Sequence, residues 1–349
     1  MARNSSIELL RILSILMIIV LHSIGFNHCC STITSSILGT IGNCGVTIFI
    51  LISGYYGITR RPEKLFKLRN IASLYILCAL LFEFIMGGNV TPSNIFSGFF
   101  PVISGKYWFL SSYIILMVFA TYINKLIDSL KTSQLGILAI TLILIFYVVP
   151  TFLKYSMTSD GGKGITYMII IYIIGRYYSR VNFWQSIRRI YYAIAFTLLI
   201  VCIIFLNRLQ TMTGLVEYFN ARHFIYSFDA DSSLFILLAS SCVLFIFLKT
   251  NFCNRIINKI SLSVFAVYIM EWYARPFLLS YIDITNMNIH IQPFAIIAFA
   301  IVVFVACAGI DQLRMLLTSN IEERFEAFEC SLYQKLTSFC KRIVPKETE

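Results

Sequence analysis

Charge is what this sequence has least of. Only 13% of its 349 residues are Asp, Glu, Lys or Arg, against roughly 25% in a typical soluble domain. A water-soluble fold of this size needs polar surface that such a composition does not provide. That excludes a soluble enzyme, a secreted domain, a disordered chain and a coiled coil. CxxC spacing is absent as well, so the ten cysteines scattered through apolar runs form neither a zinc site nor a disulfide framework, and the adjacent Cys29 and Cys30 fit neither pattern. They read as small buried hydrophobes. There is no Gly-rich phosphate loop and no GxSxG elbow. Alternation of apolar and polar residues is missing too, which excludes a porin-type barrel.

What fills the sequence is hydrocarbon. The hydrophobic set makes up 58% of the residues, and mean hydropathy is +0.80. That is enough for ten segments of ~20 residues, the length that spans a bilayer core. The apolar runs fall at 8–28, 37–58, 71–88, 108–124, 135–153, 164–178, 190–207, 233–249, 260–282 and 293–316. The expected fold is therefore all-α, a polytopic membrane protein of about ten helices. The first run is not a cleaved signal, since it carries Glu8, Arg11 and His22 and lacks a small-residue cleavage site.

Basic residues set the orientation. With the N-terminus in the cytoplasm, alternation leaves only Lys106, Lys154, Lys163, Arg208, Arg222 and Arg275 outside, so 22 of the 28 Lys and Arg lie inside. Both termini are then cytoplasmic. The net charge of +11 is accounted for by positive inner loops, with no nucleic-acid partner required. Residues 1–316 read as one transmembrane domain. Residues 317–349 read as a basic cytoplasmic tail, with Ile321, Phe325, Phe328, Leu332 and Leu336 at helical spacing, suited to lying along the inner membrane face. The connection at 208–232 holds Tyr218, Arg222, His223, Tyr226, Asp229 and Asp231. It is open to two readings, a solvated loop with interfacial aromatics or a surface that meets a sugar.

Ionisable residues inside a bilayer are costly and mark candidate sites. Arg11 and His22 are eleven positions apart, about 20° past three full helical turns and roughly 16 Å along the axis, so they share one face. Glu8 lies on the same stripe, one turn from Arg11. Imidazole suits proton transfer near neutral pH, so His22 is a candidate general base. Arg11 is a candidate for holding an anionic group or orienting a carboxylate. The alternatives are a snorkelling arginine and a packing histidine. Glu271 and Arg275 are spaced for an intrahelical pair. The other reading places Glu271 in the cavity, orienting His22 or a hydroxyl. Asp311 and Arg314 read as structural, and nothing forms a metal site.

These residues carry a resemblance. The stretch Ile7-Glu-Leu-Leu-Arg11 through Leu21-His22 resembles the opening segment of the acyltransferase 3 family of integral membrane acyltransferases, in which Arg and His at this separation form the hallmark. Thr47–Tyr56 resembles the family's FFxLSGY stretch, which includes Ser53 and Tyr55, and a basic loop follows it. Tyr107–Tyr113 resembles a WFL motif that contains Trp108. Ser261–Glu271 resembles a late segment that commonly ends in His, and this chain has Glu271 there, followed by Trp272 and Tyr273.

The resemblance implies transfer of an acyl group, usually acetyl, from cytoplasmic acyl-CoA to a hydroxyl of a surface glycan or its lipid-linked precursor, in a bacterial inner membrane. Acyl-CoA is then a donor substrate and no cofactor is held tightly. His22 and Arg11 become the catalytic pair, with Glu8, Ser53, Tyr55, Trp108 and Glu271 as supporting residues. Arg60, Arg61, Lys64, Lys67 and Arg69 in the first inner loop suit the CoA phosphates. The rival class is a transporter or flippase of a lipid-linked or anionic solute, which also uses buried charge. A glycan polymerase is a third. An acyltransferase requires His22 at the end of a tunnel from the basic face. A transporter requires a site between symmetry-related halves.

Overall fold

The computed structural model describes residues 4–27, 32–59, 61–155, 157–158, 160–213 and 227–343. Among them every regular element is helical. In chain order these are α1 (Ser5–Asn27), α2 (Thr32–Tyr56), α3 (Pro62–Ile85), α4 (Pro92–Phe99), α5 (Trp108–Ser129), α6 (Thr132–Ile143), α7 (Ile165–Arg180), α8 (Arg189–Met212), α9 (Leu234–Leu248), α10 (Arg255–Ile260), α11 (Val264–Leu279) and α12 (Gln292–Ile343). Helix α6 continues as a wider π-helix over Leu144–Leu153, which contains Pro150. Proline has no N–H to give to the ladder, and a ring of that size breaks the α-helical register.

Seven helical stretches, beginning at Ser5, Thr34, Pro62, Trp108, Thr132, Arg189 and Gln292, are long and apolar enough to cross a membrane. The runs read at 164–178, 233–249 and 260–282 form α7, α9 and α11, helices of 16, 15 and 16 residues. Each is shorter than the ~20 residues of a perpendicular span.

Helices in lipid have no hydrophobic drive toward one another, so close backbone approach through small residues matters. Here α2 provides it on two faces. A Cβ at Gly45 would lie 2.7 Å from the Ser14 carbonyl of α1, and one at Gly54 would lie 2.5 Å from the Tyr172 carbonyl of α7. These contacts set α1 and α7 against opposite sides of α2. The foot of α1 is tied down as well. The Ser5 N–H donates to the Phe252 carbonyl at 2.9 Å, and the Ser5 hydroxyl donates to Asn258 at 2.8 Å. The helix carrying both Arg11 and His22 is thus fixed along its length.

Two features depart from a simple reading of runs and loops. The connection between the third and fourth runs folds back alongside α3. A Cβ on Gly98 of α4 would meet Leu77 at 2.5 Å, a position well inside α3. The reason is compositional: Ile95, Phe96 and Phe99 give an eight-residue helix an apolar face, too short to register as a span. Secondly, the tail is a continuation of the last apolar helix, because α12 runs unbroken for 52 residues. Its extension docks on the start of α3, where Asn70 donates to Glu329 at 2.8 Å and Phe66 meets Tyr333 edge-on at 6.1 Å. Ile321, Phe325, Phe328, Leu332 and Leu336 stay exposed.

Candidate active site

His22 sits near the end of α1, with its ring half-buried at 31% side-chain exposure. Its Nδ1 lies 2.7 Å from Oε1 of Glu271 on α11. Glu271 is 1% exposed, and its other oxygen, Oε2, accepts from Nε of Arg275 at 3.1 Å. Arg275, itself 4% exposed, also donates from Nη1 to the His22 carbonyl at 2.9 Å. The chain of contacts runs from arginine to carboxylate to imidazole. Glu271, an acceptor, selects the tautomer with the proton on Nδ1. That leaves Nε2 with a lone pair and no partner among the described residues. This is the arrangement in which a carboxylate orients an imidazole base and stabilises its charged form.

The pair is intrahelical, and Glu271 also meets His22 across the bundle, but it does not line the cavity that His22 lines. Glutamate makes both contacts where the related segment commonly carries histidine, because it can accept from both the imidazole and the guanidinium.

Two cavities flank this assembly. One, of about 390 Å³, is lined by His22, Arg275, Trp108, Asn43, Lys163 and Asp231, among others. Asp231 comes from the connection after α8. Removal of its carboxyl from water pushes it up to about 6, with Lys163 acting the other way and Asp229 adding to the rise. It therefore changes charge close to neutral pH in the same cavity as His22. The sequence reading placed Asp231 on a possible acceptor surface but did not connect it with His22, and it did not single out Asn43 or Lys163 for the site. Spacing alone gives no signal for a contact made across the bundle.

The second cavity, of about 320 Å³, is lined by Arg11, Ser53, Tyr56, Lys64, Lys67 and Tyr113, among others. Arg11 pairs with the buried Glu8 at 3.4 Å. Ser53 shares a 3.2 Å hydrogen bond with the Tyr113 hydroxyl. Of the five loop cations, Lys64 and Lys67 face this space and Arg61 is exposed. Arg69 is turned away and paired with Glu329 of the α12 extension. Arg60 lies outside the described residues, as do Tyr218, Arg222, His223 and Tyr226. Tyr55 packs edge-on against Trp184 at 6.1 Å, and it is the neighbouring Tyr56 that lines the cavity. Among the described residues no group of three or more His, Cys, Asp or Glu is placed to hold a metal ion.

The basic cavity and the His22 cavity share no lining residue. Arg11 lines one of these two chambers and His22 the other.

A family model described as an acyltransferase domain matches residues 4–310. No curated protein and no solved structure matches the chain. The matched range takes in α1 through the first third or so of α12, and with it His22, Glu271, Arg275 and both cavities. The chain belongs to the acyltransferase 3 family, and it is a multi-pass membrane acyltransferase.

Proposed function

We propose that this protein moves an acetyl group from cytoplasmic acetyl-CoA to a hydroxyl of a surface glycan or its lipid-linked precursor, in a bacterial inner membrane. Ten spans with both termini cytoplasmic place the Arg11 cavity inside and the His22 cavity outside. This needs local thinning or snorkelling of flanking residues at the short α7, α9 and α11. A cysteine at Met157 reacting with impermeant reagent only from the cytoplasm would overturn that orientation.

The observation that carries the reading is the 2.7 Å contact between His22 and Glu271, which leaves Nε2 without a partner among the described residues and available as a base. The chemistry balances on this chain's own residues. The acceptor hydroxyl gives its proton to Nε2 as its oxygen attacks the thioester carbonyl carbon. A C–O bond forms, the C–S bond breaks, and the CoA thiolate leaves with the proton from His22. An acyl-imidazole at Nε2 would reach the same products in two steps. Arg11, Lys64 and Lys67 supply cations where the CoA phosphates enter. Trp108, Asn43 and Asp231 supply an aromatic face and polar groups where a sugar enters.

Membranes carrying the protein, given labelled acetyl-CoA and a panel of glycan acceptors, are expected to show acceptor-dependent label transfer. No transfer to any acceptor, together with acceptor movement across vesicles, would favour the transporter reading. Within an active protein, Lys64→Gln with Lys67→Gln is expected to raise donor KM by roughly 5- to 150-fold, about 1–3 kcal/mol of charge-assisted contact. The acceptor constant should stay put. Arg69→Gln, whose side chain meets Glu329 instead, should leave donor KM unchanged.

A further inference from the structure

The two chambers are close neighbours. On α2, Val46 lines the His22 chamber and Phe49 lines the Arg11 chamber, three residues or about 4.5 Å apart. On α5 the consecutive residues Trp108 and Phe109 are divided the same way. At this boundary the Arg11 chamber is lined by a layer of aromatic side chains, with Phe109 at its centre. Its ring meets Phe49 edge-on at 5.9 Å, stacks on Tyr113 at 5.7 Å, and meets Tyr268 at 5.3 Å. Tyr268 lies on α11 one turn before Glu271. Phe109 is buried, so the layer is closed by protein and not by lipid.

The layer raises a problem for transfer. The cations that suit a nucleotide are on one side of it and Nε2 of His22 is on the other. Phosphates cannot cross an apolar constriction without a large desolvation cost. A short acyl thioester on a thin, uncharged arm can. We infer that Phe49 and Phe109 form the septum through which the acyl end of the donor reaches His22, and that they limit the acyl group to a short chain. The septum selects by length because each added methylene needs room among packed rings that have little to yield. It also keeps water and ions from running between the two faces through the site. This rests on the acyltransferase reading, but the separation of the chambers does not depend on it.

Two measurements test the septum. The first compares acetyl-CoA with butyryl-CoA as donor for the parent, Phe49→Ala, Phe109→Ala and Phe109→Leu. A single methylene is worth roughly 10–200-fold in a fitted apolar pocket, so the butyryl-to-acetyl ratio of kcat/KM should rise at least ~10-fold in the alanine variants. Phe109→Leu, which keeps most of the bulk and the fold, should lie between. The second places Val46→Cys in the His22 chamber and applies a small charged methanethiosulfonate reagent from the cytoplasmic side of inverted vesicles. The cysteine should react above the background of native thiols only when Phe109→Ala or Phe49→Ala is also present. An unchanged donor ratio across active variants overturns the proposal. If the parent transfers no acyl group, the enzymatic reading fails and labelling decides alone. Equal labelling with and without the phenylalanines then overturns the septum, and labelling only after their removal upholds it.

Discussion

His22→Gln is expected to lose transfer by roughly 10²–10⁴-fold, the usual worth of a positioned general base. Glutamine keeps much of the size and polarity of histidine and can still donate to Glu271 from its amide nitrogen. It cannot take a proton from the acceptor. The variant should therefore insert and fold, since the Arg275–Glu271 pair at 3.1 Å remains in place to keep the buried carboxylate satisfied. His22→Ala should be as inactive. The decisive measurement is label transfer from acetyl-CoA at matched amounts of membrane-inserted protein. Near-parental transfer by His22→Gln would reduce His22 to a packing residue and overturn its catalytic role, even with the family membership intact. Arg11→Lys, which keeps the charge but not the planar fork, should be impaired less than Arg11→Ala.

Glu271 gives the second large effect, and it separates orientation from stability. Glu271→Gln is nearly isosteric and keeps an oxygen that can accept from Nδ1. It loses the charge that stabilises imidazolium, and its amide can turn the wrong way and favour the other tautomer. The loss in kcat is expected to reach up to roughly 10⁴-fold, as when a carboxylate partner of an imidazole base is neutralised. Donor KM should barely move, because Glu271 meets His22 and does not line the chamber that holds the cations. Glu271→Ala adds a different fault. It takes the carboxylate partner from Arg275, a buried cation at 4% exposure, at a cost of up to about 3–5 kcal/mol. Glu271→Ala with Arg275→Met should recover much of that stability and none of the activity. Full activity in the folded double variant would show that the pair only packs. Thermal unfolding and kcat, measured on the same preparations, distinguish these outcomes.

Much of this was legible in one dimension. The shortage of charge and the apolar runs dictated a helical membrane protein, because only internally satisfied helices suit so much hydrocarbon. The eleven-residue interval between Arg11 and His22 dictated a shared face, because helical pitch is the same in any context. The four-residue interval from Glu271 to Arg275 dictated their pairing for the same reason, and the motifs along α1 and α2 carried the family.

Tertiary structure alone decided what each face meets. Period says that a residue points inward but not which helix it points at, so the contact between His22 and Glu271, 249 positions apart, could be offered only as one reading of two. Charge in the 59–70 loop reads as a single basic patch. The structure splits it, sending Lys64 and Lys67 to the Arg11 cavity and Arg69 to Glu329, because a long cation goes to whichever partner the fold brings near it. The choice of Tyr56 over Tyr55 for the cavity follows from the rotation of α2, which Gly54 sets by its close approach to α7. The aromatic layer is built from α2, α5 and α11 together, and no stretch of sequence records a wall whose pieces come from three helices.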